Sequence, residues 1–284
     1  MTAKLAASPH DRDRSRAQRE LPDRWWGRPL AETRSSLELA RLVIDPVFAG
    51  REVPRGDGRP VLLMPGFLAG DQTLLVLGGW LCRIGYHPRV CGFAANVDCS
   101  DRAVERVERR LVSVAARHRR RVALIGHSRG GHYARALATR RPDLVSHAIS
   151  LGADLQGMFG CSAPTLTAVS GIRAILHRTG RARSPECVSE ACRCQFTRDF
   201  HAPFPAEGVR LTSIYSKGDG VVRWQRQVVP YGDCVEVAGS HVGLIFNRKS
   251  YRAIAAALAA PELPRSERPS PQHPTLTPHR SRRA

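Results

Sequence analysis

The sequence predicts an α/β fold, with a mostly parallel β-sheet and helices on both faces. Between residues 60 and 260, short β-rich apolar runs alternate with longer amphipathic runs. Such alternation of strand and helix is typical of parallel sheets that are covered on both sides. A length of 284 residues with 42% hydrophobic content is sufficient for one full core. One stretch without a strand pattern, residues 155–208, is too long for an ordinary connection and predicts an insertion.

The predicted elements follow one another in a regular order. A helical pattern over residues 31–50 is expected to dock on the core. Six runs of apolar residues predict strands at 60–67, 87–93, 121–126, 145–152, 209–216 and 234–239. Amphipathic runs predict helices at 71–85, 101–118, 130–140 and 250–260. In a parallel sheet, reactive groups gather on the loops at the carboxyl ends of the strands.

Composition predicts the domain boundaries. Residues 1–28 are charged and punctuated by proline, and residues 261–284 hold six prolines, so a disordered basic segment and a disordered Pro/Arg-rich tail are expected. The domain between them, 29–260, contains the insertion at about 155–208. Helical spacing there predicts a helical cap over the sheet edge, from Leu166, Val169, Ile172 and Leu176. A packing helix with no gating role fits the same spacing.

The charge and hydropathy argue against several classes of function. The formal net charge is +19, but the arginines are spread among predicted helices without aromatic interleaving, so no specific nucleic-acid partner is expected. No apolar stretch approaches the roughly 18 residues of a membrane span. The first twenty residues lack the apolar centre of a secretory signal, which makes the cytoplasm the expected compartment. The composition leaves the oligomeric state open.

Eight cysteines keep a secreted or cell-envelope location as the alternative. In the cytoplasm they are expected as thiols, and in an oxidising compartment as disulfides. Cys187, Cys192 and Cys194 are bunched, but their spacing does not fit the two close pairs of a zinc ribbon. We therefore predict no metal site and no cofactor, while the state of the cluster itself stays open between disulfide, thiol and metal-bound.

Ser128 is the predicted nucleophile. It is the centre of the pentapeptide Gly126-His127-Ser128-Arg129-Gly130, which has the spacing Gly-x-Ser-x-Gly and joins a predicted strand to a predicted helix. So sharp a turn strains the serine backbone, and side chains two residues away on either side would collide with neighbouring elements. Glycine at both flanking positions removes those collisions.

A serine hydroxyl needs a base, and the sequence offers one histidine in the expected place. His241 follows the last predicted strand, and imidazole titrates nearest to neutrality. Asp219 ends the preceding strand and can hold the second imidazole nitrogen. The rival histidines His127 and His132 are interpreted as structural. The rival acids are less favourably placed, since Glu236 falls inside a predicted strand and Asp233 at its start.

Four segments together resemble the α/β-hydrolase superfamily, and within it the serine esterases and bacterial lipases. They are GHSRGG, LLMPGFLAGD, YSKGDGVV and VAGSHVGL, and the resemblance covers about residues 58–260. It implies a catalytic triad in the order Ser128, Asp219, His241. It also implies an oxyanion hole formed by the backbone N–H groups of Phe67 and Arg129. Pro65 stands where the lipase segment usually has histidine, which puts a lipase subgroup in doubt.

The expected function is a cofactor-independent serine hydrolase that cleaves carboxylic esters, of the EC 3.1.1 type, through an acyl-enzyme on Ser128. Apolar residues near the predicted mouth indicate a small-molecule or lipid ester, and those expected to bind substrate are Leu68, Leu155, Met158 and Phe159. An acyltransferase on the same fold is the first alternative, because both reactions share the acyl-enzyme. A noncatalytic hydrolase-like module that holds an anionic partner is the second.

Overall fold

A computed structural model of the chain describes residues 34–158, 160–161, 163–179 and 193–264. The predicted N-terminal segment 1–28 and most of the predicted tail lie outside the described residues. Cys187 and Cys192 also lie outside them.

The sheet of the described residues is fully parallel and has six strands. In chain order the strands are β1 (Pro60–Met64), β2 (His87–Val90), β3 (Val122–His127), β4 (Val145–Leu151), β5 (Arg210–Tyr215) and β6 (Asp233–Glu236). Their spatial order is β2-β1-β3-β4-β5-β6, and every neighbouring pair is parallel. The central strand β3 therefore carries its carboxyl end, and Ser128 after it, to the middle of one sheet edge.

Helices precede, separate or follow these strands. They are α1 (Ser35–Val43), α2 (Leu75–Arg83), α3 (Ser100–His118), α4 (Arg129–Arg140), α5 (Ala163–Arg178), α6 (Gln195–His201), α7 (Trp224–Gln227) and α8 (Arg248–Ala259). Short 3₁₀ segments occupy Pro46–Ala49, Asp71–Leu74 and Val242–Phe246. In the described ranges every helix is too short or too polar to cross a bilayer. The α/β class and the mostly parallel sheet predicted from the sequence are confirmed.

Two apolar cores lie on opposite faces of the sheet. Leu62 of β1 and Leu124 of β3 are buried with α3, α4 and α6, whereas Val61 and Ile125 are buried with α1, α2 and α8. Successive side chains of a strand point to opposite faces, so a strand that is covered on both sides must be apolar at every position. This requirement explains the unbroken apolar run of β1, in which all five residues are buried.

Helix α3 shows why the arginine-rich segments fold onto the core. Its apolar side chains recur on one face and are buried, while most of its arginines are exposed. An amphipathic pattern with this period directs one stripe to the core and the charges to water. Asp101 in its first turn accepts a hydrogen bond from the backbone N–H of Phe196 at 2.7 Å, which ties α3 to the start of α6.

The predicted insertion contains helices and no sheet strand among its described residues. Cys161 forms an isolated bridge with Val222, and the helices α5 and α6 follow. Helix α6 belongs to the core, where Phe200 is buried and Asp199 binds Arg140 at 2.5 Å. Helix α5 instead lies beside the cavity at the carboxyl edge of the sheet.

Candidate active site

Ser128 sits in a strained turn between β3 and α4. Its backbone angles are φ 51° and ψ −120°, in a region that a residue with a Cβ rarely adopts. Its N–H donates to the carbonyl of Leu151 at 2.8 Å, which anchors the turn to β4. Such strain persists only where the surrounding structure enforces it, and it is commonly found at functional sites.

The two glycines of the pentapeptide permit this turn by close approach. A Cβ at Gly126 would lie 2.1 Å from the carbonyl carbon of Gly130, and a Cβ at Gly130 would lie 2.2 Å from the carbonyl oxygen of Met64. Both distances are far inside van der Waals contact with backbone that cannot give way. The spacing Gly-x-Ser-x-Gly is thus required by packing between α4, β3 and β1.

Asp219 and His241 form a buried hydrogen-bonded pair. His241 Nδ1 lies 2.8 Å from Asp219 Oδ2, and both side chains are almost fully buried. The other carboxylate oxygen, Oδ1, accepts from the backbone N–H groups of Val221 and Val222, each at 2.8 Å. Gln227 Nε2 donates to Oδ2 at 3.0 Å. All these donors fix the carboxylate in one orientation toward the imidazole.

The environment of Asp219 keeps it ionised. Burial alone would raise its pKa, but the charge and hydrogen bond of His241, with the two backbone amides, outweigh that effect and lower the pKa below its usual value. A carboxylate that stays charged can stabilise an imidazolium as it forms.

His127 fixes the backbone of His241. Its Nε2 lies 3.0 Å from the carbonyl oxygen of His241, and the two rings lie 4.9 Å apart between centroids. Burial, followed by the nearby charge of His241, lowers the pKa of His127 to about 3. His127 is therefore neutral, and with a carbonyl as partner its Nε2 must carry the proton. The structural role that the sequence suggested for it includes holding the His241 loop.

One cavity of about 550 Å³ brings the predicted groups together. Ser128 and His241 line it, and so do Phe67 and Arg129, whose backbone N–H groups are the candidate oxyanion donors. Neither of these two N–H groups donates to another described residue. Leu68 and Met158, predicted to bind substrate, also line the cavity, while Phe159 lies outside the described residues.

Comparisons with known proteins agree with this architecture. The mature form of the lipase BlEst2 from Bacillus licheniformis superposes with a TM-score of 0.54 at 14% identity, over 73% of this chain and 94% of that one. A protein from Listeria innocua superposes with a TM-score of 0.50 at 12% identity, over 72% and 94% of the two chains. This chain has the α/β-hydrolase fold. The family model for palmitoyl protein thioesterases matches residues 86–203. No curated protein sequence matches the chain.

Within this hydrolase fold, helix α5 forms one wall of the cavity. Its lining residues include Leu166, Val169 and Ile172, the positions whose helical spacing predicted a cap. The side chain of Leu176, the fourth such position, lies outside what the structure describes. Helix α5 of the insertion therefore contributes to the cavity wall, whereas α6 packs on the core.

Leu155, predicted to contact substrate, does not line the cavity. Leu155 is absent from the described residues that line the cavity, and its side chain is 2% exposed in the core beneath it. The backbone turns directly after β4, because Leu155 N–H donates to the carbonyl of Arg226 at 3.0 Å. That turn directs the side chain into the apolar core instead of the mouth.

Asp154 lines the cavity and was missed by the sequence reasoning. Its Oδ1 accepts from the N–H groups of Gln156 and Gly157, at 3.0 and 2.8 Å, and its Oδ2 from Gly160 N–H at 2.7 Å. Arg226 pairs with it at 3.3 Å. Asp154 thus organises the loop that leads to α5. The signal in the sequence was an aspartate after a strand, followed by glycines three and six residues later.

The rival acids lie away from His241. Glu236 pairs with Lys217 at 2.8 Å on the surface, and Asp233 is exposed at the start of β6. Neither places a carboxylate in the position that Asp219 occupies.

Two further groups in the cavity are held in unreactive forms. Burial lowers the pKa of His132 to about 4, against opposing effects of Asp154, so the imidazole is neutral. Burial and the nearby carboxylates of Asp154 and Asp219 raise the pKa of Cys161 to about 12, so its thiol stays protonated. Neither group competes with Ser128 or His241 for the proposed chemistry.

Among the described cysteines, Cys82, Cys91, Cys161 and Cys234 are free thiols. Within the same part of the chain, no group of three or more His, Cys, Asp or Glu side chains is arranged to hold a metal ion. Two members of the cysteine cluster noted in the sequence lie outside the described residues, so its state is not described.

Proposed function

We propose that this chain is a serine hydrolase that cleaves esters of apolar acyl groups through an acyl-enzyme on Ser128. The observation that carries the proposal is the buried pair of His241 and Asp219, joined at 2.8 Å, beside a cavity that Ser128 also lines. The strained backbone of Ser128 supports it, because that turn presents the hydroxyl at the sheet edge.

The side chains have complementary roles in this mechanism. Ser128 Oγ attacks the acyl carbonyl while His241 Nε2 takes the hydroxyl proton, and the same nitrogen then gives the proton to the leaving oxygen. Asp219 accepts from His241 Nδ1, which fixes the tautomer and stabilises the imidazolium. Water, deprotonated by His241, then attacks the acyl-enzyme and releases the acid.

The negative charge that forms on the carbonyl oxygen requires preorganised donors. The N–H groups of Phe67 and Arg129 are proposed for this role, because both residues line the cavity and neither amide is used by another described residue. Loss of one such donor costs about 3 kcal/mol of transition-state stabilisation in enzymes of this kind.

The lining of the cavity favours an apolar acyl group. Leu68, Met158, Val169 and Ile172 present aliphatic side chains, and charged lining groups have partners within the protein. Burying a charged acyl chain against such walls without a partner would be costly. An ester with an uncharged lipid or aromatic acyl group is therefore the proposed substrate.

A thioester is the second candidate for the scissile bond. The palmitoyl protein thioesterase model matches the segment that contains Ser128, although it spans less than half of the chain. Thioesters and oxygen esters share the same attack, the same oxyanion and the same acyl-enzyme, so the site accommodates both.

The test is covalent labelling followed by turnover. A fluorophosphonate probe is expected to label the wild type at Ser128 and to leave Ser128→Ala unlabelled. p-Nitrophenyl esters and acyl thioesters of increasing chain length should then be hydrolysed by the wild type alone. A folded wild type that is neither labelled nor active on any of these substrates would overturn the proposal. Transfer of the acyl group to added alcohol in preference to water would make the chain an acyltransferase.

A further inference from the structure

Asn96 is tied to the segment that carries the Phe67 amide. Its side-chain Nδ2 donates to the carbonyl of Pro65 at 2.8 Å. Its backbone carbonyl accepts from Leu68 N–H at 3.1 Å, and its backbone N–H donates to the carbonyl of Ala69 at 2.8 Å. These three hydrogen bonds hold the segment on both sides of Phe67, and Asn96 is fully buried.

The same asparagine is tied to the residue that carries the second candidate amide. Arg129 NH1 donates to the backbone carbonyl of Asn96 at 3.1 Å and to its Oδ1 at 3.3 Å. The Arg129 NH2 group donates to Asp98 O and Ser100 Oγ, which holds the rest of the Asn96 loop. Tyr133 OH, from the next turn of α4, donates to Asn96 Oδ1 at 2.9 Å. Asn96 therefore connects the two segments that carry the candidate donors.

The Phe67 segment needs this support. Leu68 has φ 62°, in the left-handed region, so the loop does not rest in an unstrained conformation. A Cβ at Gly66 would lie 3.2 Å from Ser128 Cβ, so the loop lies directly against the nucleophile. Proline at position 65 provides no side-chain hydrogen bond of its own, and the Asn96 amide supplies the bond from outside the loop.

We propose that Asn96 is a positioning residue for the oxyanion hole. It sets the distance between the amides of Phe67 and Arg129 through the bonds to Pro65 O on one side and Arg129 on the other. The inference rests on the proposed hydrolase function, since it concerns charge that forms only in the transition state. Amides displaced by a fraction of an ångström still admit substrate but meet the oxyanion poorly.

The decisive variant is Asn96→Asp, which is isosteric. It keeps the Oδ1 acceptor for Tyr133 and Arg129 but removes the side-chain donor to Pro65 O. We expect kcat to fall about 10- to 100-fold while KM changes less than about twofold. In Asn96→Ala, kcat should fall at least as far. Tyr133→Phe removes one bond on the α4 side only and should have a smaller effect.

A second measurement separates positioning from loss of stability. A trifluoromethyl ketone forms a hemiketal oxyanion on a serine nucleophile, whereas the matching methyl ketone binds mainly as the uncharged ligand. Asn96→Asp should weaken trifluoromethyl ketone inhibition by the same factor as kcat and leave methyl ketone inhibition unchanged. The matched control is Thr212→Val, which removes a buried hydrogen bond to His147 elsewhere in the sheet. It should lower Tm without changing the ratio of trifluoromethyl ketone to methyl ketone inhibition.

The outcomes are distinguishable from those for the function itself. If the wild type is labelled at Ser128 and active, but Asn96→Asp retains kcat and trifluoromethyl ketone affinity, the inference alone is overturned. If Asn96→Asp fails to fold, the comparison of Tyr133→Phe with Thr212→Val decides in the same way, because only the former touches Asn96. If the wild type is neither labelled nor active, the proposed function fails and the inference fails with it.

Discussion

The carboxylate of Glu38 accepts two hydrogen bonds from Ser240, one from the backbone N–H and one from the hydroxyl, each at 3.0 Å. Ser240 precedes His241, and Ser240 Oγ also accepts from Gly243 N–H at 3.1 Å. A Cβ at Gly243 would lie 1.2 Å from Glu38 Oε2, so a side chain there would displace this carboxylate. Helix α1, which stands before the first strand of the sheet, thus holds the loop that carries the proposed base.

Removing this carboxylate should impair turnover more than binding. In Glu38→Ala we expect kcat to fall about tenfold, because the His241 loop loses its anchor and the imidazole is less well aligned. KM should change little, because Glu38 does not line the cavity. Steady-state kinetics with a short-chain ester would measure both constants. Glu52→Ala, which removes an exposed carboxylate paired with Arg252, is the control, and an equal loss in the two variants would contradict the role of Glu38.

Substitution of two buried aspartates near the cavity, Asp219 and Asp154, should affect catalysis to very different extents. Asp219→Asn is expected to lower kcat about 10⁴-fold, because an amide at that position favours the wrong imidazole tautomer. Asp154→Asn replaces one of the two oxygens that accept from the backbone amides of Gly157 and Gly160 by an amide donor, so its main effect should be on Tm. The measurements are kcat and thermal unfolding for both variants. A larger loss of kcat in Asp154→Asn than in Asp219→Asn would reassign the acid.

Helix α5 should set the length of acyl chain that the cavity admits. Val169 lies in the wall that α5 contributes, so Val169→Trp is expected to fill part of the cavity. The variant should lose at least about tenfold in kcat/KM for long acyl chains, a loss on the scale of a few buried methylenes. Its kcat/KM for an acetyl ester should stay within a few fold of the wild-type value. A uniform loss of kcat/KM at every chain length would place the acyl group elsewhere. The control is Leu75→Trp, at an exposed site on α2.

The sheet and the sharp turn at Ser128 could be predicted because they depend on local patterns. The apolar run of β1 and the glycines around Ser128 follow from burial on both faces and from close backbone approach, and both requirements leave a direct trace in the sequence. The placement of Asp219 and His241 follows from the rule that parallel strands end at one edge.

The contacts that support the site could not be predicted in this way. Asn96 and Glu38 belong to a loop and a helix with no motif of their own, and each acts through pairings with residues distant in the chain. Leu155 shows the converse, since an apolar residue after a strand fits both a cavity wall and a core. Only the direction of the turn after β4, set by pairing with Arg226, decides between them.

Buried neutral histidines should make the fold sensitive to acid. Burial, then the charges of Arg210 and Arg59, lowers the pKa of His147 to about 3, although a hydrogen bond with Ala257 opposes this. The pKa of His127 is lowered to about the same value. An unfolded histidine has a pKa of about 6.5, so between these values the unfolded chain binds more protons than the folded one. The free energy of unfolding therefore falls as the pH drops below about 6.5.

For His147 alone this loss should reach about 2 kcal/mol at pH 5, since each pH unit in the window contributes about 1.4 kcal/mol. In His147→Gln, which cannot be protonated, the difference in unfolding free energy between pH 7 and pH 5 should shrink by about that amount. Denaturant unfolding at the two pH values measures it, with His87→Gln at the exposed start of β2 as the control. Asp219 does not interfere, because its lowered pKa places its titration below this window. An unchanged difference in His147→Gln would mean that His147 is protonated in the folded state, which its burial between β5 and α8 opposes.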